Sequence, residues 1–336
     1  MAFSATLPEV YRSIDVAWAD AAQKSQFVAK ADAARIILQN QTATVTPTIQ
    51  GSNSNAKDRT VRIHWLNACD VVTEAATDEC AAASVTLTDG SQTYNISNTR
   101  EASFKTSWKV HRTTPEAHTL NQTIATGFLA AMKVLDEYLA AQGYTFLQAN
   151  NGAHEYTANP YGAVNGSDVW EISAADWTVD LMPQFILSAE FSRMTNAYML
   201  HGLNLWSERY KAAQYAPNDN GKGENNLYGV LPTFWDPVGS SASSVSDQSF
   251  LIDRSSTVLA TANYFDTTPA EFGGAHRVYK MASRNLPGVF YDVHEFETCT
   301  SDDMVVSYKL TANYEYFLNP TGCDSTRTGI LQFSKT

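Results

Sequence analysis

The sequence predicts an α+β chain. Three observations carry that reading. One long stretch of helical period covers residues 114–142. Segments of strand character lie on both sides of it, at 61–112 and 276–333. The 336-residue length allows one large domain or two ordinary ones. Charged residues make up 17 % and hydrophobic residues 44 % of the chain, which argues against intrinsic disorder.

Residues 8–40 show Tyr11, Ile14, Val16, Trp18, Phe27, Val28, Ile36, Ile37 and Leu38 scattered rather than in one stripe. Two short helices in an extended arm fit that spacing. Residues 41–60 are Thr/Ser/Asn-rich without period and read as a linker. From 61 to 112 the chain reads as β. Val61–Leu66 alternates in part, and Asp89-Gly90 is a hairpin-turn signal, because glycine tolerates positive φ. Such long, polar strands carry little apolar mass. A ribbon of this kind is marginal alone in water and needs a partner surface.

The strongest element is the helix over 114–142. Thr114 is a plausible N-cap with Pro115 at the first helical position, and Thr113 with Glu116 is a competing capping box. Leu120, Ile124, Gly127, Phe128, Ala131, Val134, Leu135, Tyr138 and Leu139 recur at spacings of three and four, and the small residues Gly127, Ala130 and Ala131 let something pack closely against the helix. Gly143 reads as the left-handed residue that ends the helix. A rod of roughly 42 Å results.

Residues 145–275 are mixed. Leu181–Leu187 reads as a strand or a helix start, and Ser188–Tyr210 as a helix with a stripe of Phe191, Met194, Tyr198 and Leu205, broken near Gly202. Beyond 276, the segment 289–299 alternates, Ser301–Asp303 makes a turn, and 305–318 is too long for an ordinary strand. Gly329–Phe333 is a last short strand.

The search for chemistry returns little. Asp292, His294, Glu295 and Glu297 are the best acid/base or metal cluster. Period 2 splits them between two strand faces, so they converge poorly on one ion. The other histidines lack metal-ligand spacing. Neither a phosphate-binding glycine loop nor a Gly-x-Ser-x-Gly elbow is present. Aromatics at Trp206, Tyr210, Tyr228, Phe234 and Trp235 read as core or subunit contact. Cys69, Cys80, Cys299 and Cys323 have no Cys-x-x-Cys spacing, and the default is four reduced thiols. The N-terminus lacks a signal-peptide pattern, and no apolar run is long enough to cross a membrane. No cofactor and no catalytic residue is expected.

Charge is the remaining clue. The net charge is −12. Residues 1–112 hold 11 Lys+Arg and 11 Asp+Glu, and residues 113–336 hold 12 and 24. An acidic chain is a poor duplex wrapper. Within the ribbon, Arg100, Lys105, Lys109 and Arg112 against the single Glu101 make the second strand basic.

The order of arm, ribbon, long helix, mixed middle and returning strands, with the closing Leu318-Asn319-Pro320-Thr321-Gly322 and Gly329-Ile330-Leu331, resembles the major capsid proteins of tailed bacteriophages with the Hong Kong 97-type fold. The resemblance implies an N-terminal arm at 1–60, an extended β-hairpin loop at 61–112, a peripheral-domain spine helix at 113–144, an axial domain at 145–275, and returning peripheral strands with the C-terminus at 276–336. It implies a structural, non-enzymatic protein that assembles into hexamers and pentamers of an icosahedral shell enclosing double-stranded DNA. The subunit would be made in the host cytoplasm and reside in the virion. Expected partners are further copies of the chain, a separate scaffolding protein, and portal and decoration proteins, with no membrane and no sequence-specific DNA contact. Arg100, Lys105, Lys109 and Arg112 are then expected to touch the acidic surface of an adjacent subunit, where complementarity sets register. No residues mark a covalent cross-link. A tail tube or other self-assembling tail protein is the alternative, followed by a polysaccharide-active enzyme with two carboxyl groups in one groove.

Overall fold

The computed structural model describes residues 7–41, 48–50, 60–66, 89–107, 109, 119–157, 160–178, 181–194, 196–205, 226–227, 231–241, 244–254, 256–266, 268–272, 275–299, 303–319 and 328–336. The chain forms two compact units, each gathered from three stretches. The first takes 1–35, 96–140 and 261–315, and the second takes 36–95, 141–260 and 316–336.

The first part of the chain holds three helices where two were expected: α1 (Leu7–Ala19), α2 (Ala21–Phe27) and α3 (Asp32–Asn40). Asp20 separates α1 from α2 because its side chain caps the second helix, accepting from the backbone N–H groups of Ala22 and Gln23. Strands β1 (Thr48–Gln50), β2 (Thr60–Leu66) and β3 (Asp89–Asn95) form a three-stranded antiparallel sheet in the second unit. Asp89 and Gly90 pair with Leu66 and Trp65, so they lie in a strand and not in the expected turn. Strand β4 (Asn98–Ser107) follows after two residues but belongs to another sheet.

The long helix, α4, runs from Leu120 to Ala149. The expected caps at Thr113, Thr114 and Pro115 lie outside the described residues. The cap observed is at Thr119. Its hydroxyl accepts from the Gln122 N–H at 3.3 Å, and the Gln122 side chain accepts from the Thr119 N–H at 2.9 Å. This is a reciprocal capping box. Gly143 does not end the helix. It sits within the last turns, where a Cβ would stand 3.1 Å from the Tyr316 hydroxyl. Its small size serves packing, and the helix continues to Ala149.

In the first unit α4 contributes Leu120–Ala140 and lies against one face of an antiparallel sheet. That sheet has the order β11 (Thr257–Ala262), β15 (Met304–Leu318), β14 (Phe290–Cys299), β13 (His276–Ala282), β12 (Ala270–Phe272), with β4 paired to β15 over Asn98–Ser107 and Tyr314–Val305. The 15-residue length of β15 is explained by its neighbours. It pairs with β14 over Met304–Thr311 and with β4 over Val305–Tyr314, and it is also the neighbour of β11. Phe104, Tyr308 and Phe128 form the centre of the packing. Phe104 stacks on Tyr308 at 5.0 Å, and Phe128 meets both edge-on.

The second unit is built on a seven-stranded sheet of order β5 (Ala163–Val164), β6 (Val169–Ile172), β16 (Ile330–Lys335), β10 (Gln248–Ile252), β7 (Tyr198–His201), β9 (Leu231–Trp235), β8 (Asn226–Leu227). The last strand, β16, is central: it runs parallel to β6 and antiparallel to β10. Helix α5 (Leu181–Phe191) settles the ambiguous apolar run as helix. The helix expected over Ser188–Tyr210 is not formed as such. It ends at Phe191, and Tyr198–His201 is a fully buried strand. A Cβ on Gly202 would stand 2.3 Å from the Val245 carbonyl, so close backbone approach selects glycine there. Helix α6 (Pro237–Ser241) completes the described helices, and Trp170, Phe185 and Phe333 anchor the core of this unit.

Candidate assembly surfaces

The four basic residues expected to act together are placed as follows. Arg112 lies outside the described residues. Arg100 and Lys105 are both on β4, but five positions apart, so the strand's period of 2 puts them on opposite faces. Arg100 shares the helix-facing side with Phe104, and its guanidinium lies 4.6 Å from the Tyr138 ring centroid on α4. Lys105 is exposed on the other face, opposite Ser307. Lys109 follows the strand, and its backbone N–H donates to the Asp303 carboxylate at 2.9 Å. Desolvation opposes ionisation of Asp303. The Lys109 and Met304 N–H groups, the Ser107 hydroxyl and the Lys109 charge together hold its carboxyl below the usual value. Glu101, the acidic exception on the strand, pairs with Lys309 at 2.9 Å.

The outer face of this sheet carries more than the basic residues. Phe296 is 37 % exposed. Its ring stacks with His276 at 4.3 Å, and His276 Nε2 and His294 Nδ1 share a hydrogen bond at 3.1 Å. Burial, the Lys309 charge and His276 lower the His294 pKa, against the opposing effect of Glu101. The His294 imidazole therefore favours the neutral form at neutral pH. With Lys105 and Lys309 beside it, the face is a mixed aromatic and basic surface.

The helix-facing side holds the other half of the carboxylate cluster. Glu295 and Glu297 both reach Arg277, at 2.9 and 2.8 Å. Burial raises the Glu295 pKa, partly offset by Arg277 and reinforced by Glu297. Asp292 is buried and accepts from the backbone N–H groups of Tyr264 and Phe265 and from the Asn313 amide, which fixes the 263–265 loop. Each of these four residues thus has a structural role. Among the described residues, no group of three or more His, Cys, Asp or Glu is placed to hold a metal ion. Cys299 is exposed with a free thiol, and the other three cysteines lie outside the described residues.

The second unit presents a separate apolar surface on α5. Phe191, expected in a packed stripe, is 53 % exposed, and Leu187 one turn earlier is 39 % exposed. The Tyr156 ring stacks on Phe191 at 4.9 Å, and its hydroxyl donates to Gln184. The spacing of four between Leu187 and Phe191 was visible in the sequence. Which side of the helix faced the core was not.

No family model matches the sequence, and no curated protein sequence matches it. Solved structures do. A chain of the capsid asymmetric unit of cyanophage A-1(L) superposes with a TM-score of 0.53 at 12 % identity, covering 89 % of this chain and 94 % of that one. A Mycobacterium phage Che8 structure aligns with a TM-score of 0.48 at 12 % identity over 82 % and 84 % of the two chains. The capsid of Ralstonia phage GP4 aligns at 0.46, with 12 % identity over 89 % and 87 %. The first of these establishes the class of fold. The chain has the α+β fold of the cyanophage A-1(L) capsid chain.

Proposed function

We propose that the chain is the major capsid protein of a tailed bacteriophage, a shell-forming subunit rather than an enzyme. The observation that carries this reading is the fold shared with the cyanophage A-1(L) capsid chain over 94 % of that chain's length. Hexamers and pentamers of the chain would close an icosahedral shell around double-stranded DNA. A separate scaffolding protein, a portal and decoration proteins would be its partners. Synthesis is in the host cytoplasm, and the virion is the final location.

In this reading 1–60 is the N-terminal arm, 61–112 the extended loop, 113–144 the spine segment, 145–275 the axial domain, and 276–336 the returning peripheral strands and C-terminus. Lys105, exposed on β4, and Lys109, exposed just after it, are the basic residues best placed to meet acidic surface of a neighbouring copy, with Arg112 three positions further along the chain. Arg100 is partly engaged by Tyr138 and contributes less. Such contacts fix register and partner choice more than affinity. The excess of acidic residues beyond position 112 supplies the complementary charge and keeps the body from clinging to packaged phosphates.

Expression of the full chain, with negative-stain microscopy and sedimentation velocity, tests the reading. Closed spherical shells, or capsomers that close on addition of the scaffolding protein, are expected. Stacked rings forming rods would assign the chain to a tail instead, and a monomer that turns over glycans would remove the structural role altogether.

A further inference from the structure

Asp136 lies in the middle of α4 and has 0 % exposure. Its carboxylate receives three neutral donors. The Tyr291 hydroxyl comes from β14, and the Ser283 hydroxyl at 2.9 Å and the Asn285 amide at 2.8 Å come from the β13–β14 loop. Among the described residues no ion pair reaches it. The cations nearby are committed elsewhere. Arg284 pairs with Asp15 of α1 at 2.6 Å, and the Lys133 ammonium donates to the Gln26 carbonyl. Glu137, the next residue on α4, is the nearest second carboxylate acting on it.

The network also reaches the N-terminal segment. Asn285 accepts from the Ala29 N–H at 3.0 Å and donates toward the Phe27 carbonyl, while its amide holds Asp136. Residues 28–31 form the non-helical link between α2 and α3. One side chain therefore bridges that link to the buried carboxyl.

We propose that Asp136 is a proton-operated latch on the link between α2 and α3, closed when its carboxyl is protonated and loosened when it ionises. Chemically, the protonated carboxyl donates to Tyr291, whose hydroxyl can turn to accept, and its other oxygen keeps Ser283 and Asn285. Ionisation places an uncompensated charge in a buried site, and hydration of that charge favours opening.

Burial raises the Asp136 pKa from 3.8 to about 6, against the three hydrogen bonds, which lower it, and with Glu137 adding to the rise. The sign follows from linkage. The closed state binds the proton more tightly than the opened one, so its advantage is full below 3.8 and is lost as pH rises through about 6. A gap of this size weakens closure by roughly two decades across the window, tenfold per unit.

Hydrogen exchange of the full chain, corrected for intrinsic rates, reads this directly at the Ala29 and Lys30 amides. Their protection is expected to fall up to about 100-fold as pH rises through the window. Asp136→Asn should make the profile flat. Tyr291→Phe removes a bond that favours the carboxylate, so it should move the midpoint upward, and Glu137→Gln should move it downward. A flat profile in the unmodified chain overturns the proposal, whether or not the Asn variant folds. So does an unmoved midpoint in Tyr291→Phe, or a transition abolished by Glu137→Gln and kept by Asp136→Asn. The readout is local to the chain and is independent of whether shells form.

Discussion

Gly127 and Gly143 occupy the same helix and have opposite prospects. A Cβ at Gly127 would stand 2.4 Å from two carbons of the Phe104 ring. That ring is held between Phe128 and Tyr308 and has nowhere to turn. Gly127→Ala gains about 1 kcal/mol of helix propensity but meets an overpacking cost of about 1–3 kcal/mol. Net destabilisation is expected in chemical denaturation, with recovery when Phe104→Leu opens the space. At Gly143 the nearest atoms belong to the end of Tyr316, at 3.1 and 3.3 Å. A shift of a few tenths of an ångström there admits the methyl group, so Gly143→Ala should be the milder of the two. If it proves the more damaging, packing against Tyr316 is tighter than the geometry indicates. At this scale the sequence was partly legible. The small residues on the helix marked a close approach, but Phe104 is 23 positions away and nothing local names it as the neighbour. Gly143 looked like a helix end for the same reason: glycine ends helices and admits close packing alike, and only the neighbour tells which.

The elements show where periodicity informs and where it stops. The core stripe of α4 was readable because Ile124, Phe128, Leu135 and Leu139 all point the same way and are all buried. The expected caps lie outside the described residues, and at the observed start Thr119-Leu120-Asn121-Gln122 carries the capping-box pattern as plainly as Thr113 with Glu116 does. Thr119→Ala removes the acceptor for the Gln122 N–H and should lower stability by about 1 kcal/mol, measured as a shift of the denaturation midpoint at constant slope. An unchanged midpoint would mean that the helix starts upstream of Thr119. The long β15 was recognised as long, but its length makes sense only with three partners, β4, β14 and β11. One of them, β4, is some 200 positions earlier in the chain. The chemistry candidates divided as the strand period required, with Asp292 and His294 on one face and Glu295 and Glu297 on the other. The His276–His294 pair was not legible, because its members lie on different strands and meet diagonally across the sheet.

At the scale of the molecule, both units are assembled from three separated stretches. The ribbon read from the sequence is divided accordingly. Strands β2 and β3 pair within the second unit, and β4 pairs with β15 in the sheet of the first. Excising 70–100 would therefore remove β3 and the start of β4. Replacing 70–86 with an Asn-Gly turn is the cleaner cut, since it spares β2, β3 and β4. That variant should remain folded by circular dichroism and fail to form shells in sedimentation velocity. Normal shells from it would take residues 70–86 out of assembly. The sequence by itself determined the α+β class, the long helix, the order of the elements and the uneven charge, because these rest on local period and composition. Tertiary structure alone decided which strands share a sheet, which faces of β4 and α5 are exposed, and that Asp136 is buried beside an N-terminal link. Those outcomes depend on contacts between residues one to two hundred positions apart, and local pattern is silent about them.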